Sequence, residues 1–271
     1  MTMRGRFKTV AVTALVALAW GAGEAGAAQC GNTSAGFETW KRQFAAEAQG
    51  KASPAAIAAL MATSYSTATI SADRGQRSFK LTLDQFLTKR GAPAIVARGR
   101  TLKQTHAAMF ASIEQKYGVP PGPLLAIWGM ETGFGSVTGN QNTLSAVATL
   151  AYDCRRTEFF TEQLYAALAL VDRGTLSASA RGAMHGEVGH TQFMPKNVQL
   201  YGVDADGDGR VNLNSKADAL ASTANYLKGH GWVRGEGYQP GEPNFTAIQG
   251  WNDATVYQKA IAIMGQQIDA R

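Results

Sequence analysis

The sequence predicts a mainly α-helical fold, and three observations carry that prediction. Apolar residues recur at i, i+3, i+4 and i+7 through most of the 271-residue chain. Prolines and small polar residues open those runs, and glycines close them. Alternating apolar and polar stretches of strand length are scarce.

The chain opens on a processing segment rather than on an element of the fold. Arg4, Arg6 and Lys8 form a positive region, Val10 to Trp20 an uncharged apolar core, and Ala25-Gly26-Ala27 a small-residue cleavage site. The apolar core is short for a membrane span, and Cys30 follows Gln29 rather than the small residue a lipoprotein signal needs. Residues 1–27 are therefore expected to be a cleaved signal peptide, and residues 28–271 one exported, soluble, periplasmic domain without stable membrane insertion. An uncleaved anchor is the lesser alternative.

Phe37, Trp40, Phe44 and Ala48 then mark one face of a first helix, and Ser53-Pro54 caps a second that carries Ile57, Leu60 and Met61. Thr67–Ile70 and Phe79–Leu83 are expected as short extended pieces. Leu102, His106, Met109, Phe110, Ile113 and Tyr117 describe one amphipathic helix, with His106 expected in the core. Next comes Val119 to Gly135. Its prolines suit a first helical turn, its run Leu124, Leu125, Ile127, Trp128 and Met130 makes it apolar on most of its surface, and Gly133 and Gly135 can stop it. Further helices are expected over Thr143–Tyr152, from a Thr157 cap to Gly174, from Asn214 or Ser215 to Gly229, and from an Asp253 cap through Ile268.

One carboxylate stands out. Glu131 falls at the C-terminal end of the apolar helix, where burial and the negative end of the helix dipole both disfavour ionisation. A carboxyl group kept protonated near neutral pH is what acid catalysis of glycoside cleavage requires. The bland reading, a solvated helix-end residue, is equally compatible with this stretch alone.

Composition narrows the partners. Removing residues 1–27 takes away three basic residues and one acid and lowers the net charge from +6 to about +4. That excess is spread along the chain without a cluster, so it suits a polyanionic surface and does not indicate nucleic acid. Cys30 and Cys154 are the only cysteines, and in an exported chain they are expected to form one disulfide. Nothing signals oligomerisation, and a monomer is expected.

Asp204-Ala-Asp206-Gly-Asp208-Gly209-Arg210 opens like an EF-hand loop. Acids at positions 1, 3 and 5 offer oxygens, Gly209 allows the turn, and the Arg210 carbonyl offers another ligand. Position 12 is Ser215 instead of glutamate, so Asp218 is expected to close a longer loop over residues 204–218 around a structural Ca²⁺ ion. The alternative is a solvated Asp/Gly turn.

Taken together, Tyr117-Gly-Val-Pro-Pro, Ile127-Trp-Gly-Met-Glu131-Thr-Gly-Phe-Gly135, Gly189-His-Thr-Gln192-Phe-Met-Pro195, the aspartate loop and Ala224-Asn225-Tyr226-Leu-Lys-Gly-His-Gly-Trp232 resemble the membrane-bound lytic transglycosylase B family. The resemblance spans nearly all of the mature chain and includes Ile95-Val-Ala-Arg98-Gly-Arg100. It implies a lysozyme-like α domain with an EF-hand-like calcium loop inserted, acting on peptidoglycan between N-acetylmuramic acid and N-acetylglucosamine. It implies Glu131 as the single catalytic acid/base. It further implies Gln192, Tyr226, Asn252 and Trp251 as substrate-binding residues, and Arg155 and Arg156 as contacts to stem-peptide carboxylates. Ala183 departs from the serine that some members carry there.

A hydrolytic glycosidase uses two carboxylates, and the sequence displays only Glu131 in a suitable setting. The resemblance implies the solution: the substrate's 2-acetamido group assists, and its own C6 hydroxyl replaces water to give a 1,6-anhydro end. Two rivals differ in product. A lysozyme-type hydrolase would recruit a second acid such as Glu187 and release reducing ends, and a non-catalytic binding module would release nothing. Glu187 and His185 border the cleft segment, and Glu187 is expected there as a hydrogen-bonded support.

Overall fold

A computed structural model of the chain describes residues 28–75 and 81–270. The expected signal peptide lies outside the described residues, as do Phe79 and Lys80 of the second expected extended piece. The described chain is mainly helical. After a single 3₁₀ turn come α1 (Phe37–Glu47), α2 (Pro54–Met61), α3 (Thr67–Gly75), α4 (Leu83–Arg90), α5 (Ala92–Thr105), α6 (Ala107–Tyr117) and α7 (Pro121–Thr132). The second half holds α8 (Thr143–Tyr152), α9 (Thr157–Asp172), α10 (Pro195–Tyr201), α11 (Lys216–Gly229), α12 (Phe245–Trp251) and α13 (Thr255–Asp269). Two-residue strands β1 (Gln141–Asn142) and β2 (Arg181–Gly182) pair antiparallel and join the loop before α8 to the loop after α9.

Helix α7 is the axis of the packing. Every residue from Gly122 to Met130 is buried, and α13 lies along it. Two glycines let these backbones meet. A methyl group on Gly122 would lie 2.2 Å from the Gly265 carbonyl, and one on Gly265 3.0 Å from Pro123 N. Asp269, at the end of α13, accepts from Gly122 N at 2.8 Å and so occupies the N-terminus of α7. Glu131, at the other end of α7, is thus carried by a helix buried from Gly122 to Met130.

The N-terminal segment is stapled to the middle of the chain. Cys30 and Cys154 are joined by a disulfide, Gly31 N donates to Tyr152 O at 2.9 Å, and Phe37, Trp40 and Tyr152 pack ring against ring. Buried Lys41 donates to the carbonyls of Met61 (2.9 Å) and Thr63 (2.6 Å), which satisfies the end of α2.

Three expectations are corrected. Thr67–Ile70 is helical rather than extended. Ser66 Oγ accepts from Thr69 N at 3.0 Å, and Thr69 and Ile70 are buried where α3 packs on α8, which overrides their β-branched preference. The helix read through Leu102–Tyr117 is two helices that break at His106, whose φ of −115° and ψ of 32° end one turn ladder and start the next. His106 is partly exposed there, 3.4 Å from Lys216 Nζ, and is not a core residue. Lastly, Thr157 and Asp253 do not cap: α9 starts at Thr157 itself, and α13 starts two residues after Asp253.

Candidate active site

Glu131 projects from the last turn of α7 into a cleft of about 290 Å³. The opposite wall comes from the loop leading into α10, with Glu187, Gln192, Phe193 and Met194, together with Asn197 of α10. Tyr226 of α11, Trp251 at the end of α12 and Asn252 complete the lining. Five of the expected site residues therefore converge from segments up to about 120 positions apart.

The setting of Glu131 is asymmetric. Tyr257 Oη donates to its Oε1 at 2.8 Å and Trp251 Nε1 to the same oxygen at 3.1 Å. Burial pushes the Glu131 pKa up; the two donors and the charge of Arg90 oppose that without reversing it. Both donors are neutral, and the Tyr257 hydroxyl is itself pushed well above its ordinary value, first by burial and then by the Glu131 charge. A protonated Glu131 with one oxygen fixed by two donors leaves the other free to give its proton to a bound sugar.

The wall opposite is held in a strained shape. Gln192 adopts φ of +57°, a left-handed conformation that a side chain with a Cβ rarely takes. Its Nε2 donates to Gly189 O at 2.8 Å and to Thr138 O at 3.2 Å, so its amide oxygen remains as acceptor for a ligand. Thr191 is buried beneath it and accepts from Thr223 Oγ1 of α11 at 3.0 Å. His190 is the strut between this loop and α7. Trp128 Nε1 donates to its Nδ1 at 2.9 Å, which leaves the ring proton on Nε2 facing Asn214 O at 2.9 Å, and burial pulls the His190 pKa down. Thr132 Oγ1 donates to His190 O at 2.7 Å.

The aromatic floor is built by contact among rings. Phe193 meets Tyr226 and Trp251 edge-on, and Tyr226 stacks on His230 with centroids 3.9 Å apart. The Tyr226 hydroxyl donates to Gly250 O at 2.5 Å, and burial pushes its pKa up to about 12. Tyr226 therefore presents its ring, not its oxygen, to the cleft. Asn252 Oδ1 is engaged with Ala254 N at 2.9 Å.

Arg155 and Arg156 are not among the cleft-lining residues. Arg156 Nη1 lies 2.7 Å from Asp73 Oδ1 and Arg155 Nη1 3.2 Å from Asp73 Oδ2, and Asp73 is 4% exposed. The buried carboxylate of Asp73 orients both arginines, whose side chains stay partly exposed. Glu187, by contrast, does line the cleft.

In the aspartate loop the carboxylate oxygens of Asp204, Asp206 and Asp218 lie within 4.8 Å of one another. Buried Asp218 accepts from Ala205 N at 2.9 Å and Asn212 N at 2.8 Å, which draws the two ends of the loop onto the start of α11. Ser215 Oγ donates to Asp206 Oδ2 at 2.7 Å. Asp208 stands apart from this group and accepts from Arg210 N at 2.9 Å. Three converging hard oxygens, each with a lone pair beyond its amide partner, suit a calcium-sized cation.

Residues 36–241 match the transglycosylase SLT domain family. The chain belongs to that family. Over 139 residues it is 41% identical to membrane-bound lytic murein transglycosylase B of Escherichia coli K12, a match covering 48% of this chain and 38% of that protein. The chain thus spans well under half the length of the curated relative it matches. Among solved structures it is similar to SltB3 of Pseudomonas aeruginosa in complex with NAG-anhNAM-pentapeptide, with a TM-score of 0.80 and 29% identity, covering 86% of this chain and 80% of that one. It also shares its fold with Escherichia coli Slt35, solved in complex with calcium, at a TM-score of 0.72 and 24% identity over 89% of this chain and 96% of that one.

Three site residues were not legible in the sequence. Tyr257 reads as an inward apolar position of the last helix, and its hydroxyl contact to Glu131 depends on how α13 lies on α7. Asp73 lies in a segment of weak pattern. Phe193 stood inside a quoted motif but carried no role.

Proposed function

We propose that the chain is a lytic murein transglycosylase that cleaves the β-1,4 bond between N-acetylmuramic acid and N-acetylglucosamine in peptidoglycan. The observation that carries this reading is Glu131, held toward its protonated form by burial at the floor of a polar, aromatic-lined cleft, with Tyr257 and Trp251 fixing one oxygen. Family membership and the glycan fragment bound to the similar SltB3 support it.

In this mechanism Glu131 gives its proton to the glycosidic oxygen as the C1–O bond breaks. The acetamido carbonyl oxygen of the muramoyl residue closes onto C1. The ionised Glu131 then takes the C6 hydroxyl proton while that oxygen attacks C1 and releases the acetamido group, giving a 1,6-anhydromuramoyl end. The intramolecular hydroxyl replaces water through proximity. Gln192 Oε1 accepts a hydrogen bond from the sugar, and Tyr226 and Trp251 support its apolar face. Ca²⁺ on Asp204, Asp206 and Asp218 would neutralise the loop and hold residues 204–218 against α11. Arg155 and Arg156 contribute to the site's outer charge, and the chain works in the periplasm as a monomer.

Glu131→Gln incubated with purified sacculi is expected to release anhydro-muropeptides at least about 10²-fold more slowly by mass spectrometry. Release at the wild-type rate would overturn the assignment. Reducing-end products, one water heavier, would favour a hydrolase.

A further inference from the structure

The cleft contains a second carboxylate that the mechanism above leaves idle. Glu187 sits in a tight turn closed by Ala183 N donating to Glu187 O at 2.9 Å and Gly186 N to Ala183 O at 3.2 Å. Its side chain is 23% exposed and lines the cleft with Glu131, Gln192 and Trp251. Both its oxygens are oriented by one residue: Oε2 accepts from His185 N at 3.0 Å, and Oε1 lies 3.2 Å from His185 Nδ1. Beyond it, His185 Nε2 lies 3.9 Å from Asp73 Oδ1, and Asp73 is gripped by Arg155 and Arg156. Carboxylate, imidazole, carboxylate and a guanidinium pair thus alternate from the cleft to the surface.

We propose that Glu187 is a catalytic carboxylate of opposite kind to Glu131: an anion that stabilises the positive charge of the acetamido-derived intermediate. Asp73 and His185 are its positioning residues. The inference rests on the proposed transglycosylase reading. When the acetamido oxygen closes onto C1, the five-membered ring carries a positive charge and one N–H. Glu187 accepts from that N–H and offsets the charge; it neither gains nor loses a proton, and the charge disappears when the C6 oxygen attacks.

The environment agrees with that division of labour. Burial pushes the Glu187 pKa up, but the hydrogen bond and charge of His185 outweigh it and hold the group below its ordinary value. His185 is raised, first by its hydrogen bond to Glu187, against burial. Two carboxyl groups in one cleft with environments that push them apart are the pattern from which acid and anion are assigned. A support residue for the His185 N–H groups needs only a neutral acceptor. The chain of alternating charges instead keeps an ion at the cleft wall.

The test uses Glu187→Gln, which preserves size and hydrogen bonding and removes the charge. On sacculi, kcat is expected to fall on the order of 10–100-fold with KM little changed. In calorimetry, the wild type is expected to bind a cationic 2-acetamido iminosugar at least about tenfold more tightly than the neutral lactam of the same size. The variant loses that preference, and Glu131→Gln retains it. Unchanged kcat together with unchanged cation preference overturns the proposal. Reducing-end products from the wild type that vanish in Glu187→Gln also overturn it, by making Glu187 a general base for water. Should Glu187→Gln fail to fold, Glu187→Asp withdraws the charge by one methylene, and an undiminished cation preference in it overturns the proposal equally. A wild type inactive on sacculi defeats the transglycosylase reading, whereas the calorimetric preference still reports on Glu187.

Discussion

The two walls of the cleft hold the same chemical group in opposite ways. On the helix wall, Glu131 lies in the last turn of α7, a helix buried from Gly122 to Met130, and its hydrogen-bond donors, Trp251 and Tyr257, are neutral. On the loop wall, Glu187 sits in a glycine-containing turn and meets an imidazole backed by Asp73 and two arginines. Neutral donors orient a carboxyl group but only partly offset its burial; a cationic partner reverses it. The difference teaches that burial raises both carboxyl groups and that what lies behind each wall decides whether it prevails.

The sharpest way to break the contrast is to remove the acid. Glu131→Gln is expected to lower activity by about 10²–10⁴-fold while leaving Tyr257 and Trp251 an acceptor. Its stability moves the other way. Because Glu131 is raised in the folded chain, the wild type loses stability as pH climbs from the ordinary glutamate range through the raised value. Thermal melts should coincide for variant and wild type in acid, and the variant should melt higher toward neutral pH. The activity of the wild type should fall as pH rises through the same window.

The next break is behind the loop wall. Asp73→Asn removes the buried partner of Arg155, Arg156 and His185. A loss of roughly 1–3 kcal/mol is expected in urea unfolding, toward the low end because both arginines are partly exposed. The accompanying loss of activity should resemble that of Glu187→Gln rather than that of Glu131→Gln. Cys30→Ser acts behind the same wall, since Cys154 precedes the arginine pair. Closing a 124-residue separation limits the staple's contribution to about 5 kcal/mol in the chain-entropy account, and thermal melts with and without reductant read it.

The smaller changes sharpen the comparison. Tyr257→Phe deletes one of the two donors on Glu131 Oε1, so the Glu131 pKa should rise further and the alkaline limb of the pH–rate profile should move upward. The lost hydrogen bond is worth about 0.5–1.5 kcal/mol. Chelation is expected to lower the melting temperature more than the turnover of the surviving folded protein. The loop reaches the cleft wall through Leu213 and Asn214, both bonded to His190, and calcium titration of the chelated protein should restore the melt.

Periodicity and punctuation in the sequence determined the helical class, the position of α7, the carboxylate at its end and the aspartate loop. These are local properties: prolines at a helix start, glycines at its stop and three acids on one short loop act within a few residues. Tertiary structure alone decided which polar tips meet. Trp251 and Tyr257 reach Glu131 across 120 and 126 residues of chain, and no spacing rule links them. The same holds for Arg155 and Arg156, whose shared buried partner Asp73 lies about 80 residues earlier in the chain. It holds for His106 too, where a change of backbone angles at one residue turned a continuous apolar face into two helices. Glu187 is the clearest case. The sequence places it beside a cleft motif, but its charge depends on His185 and Asp73 together, and electrostatic partnership falls off with distance through space rather than along the chain.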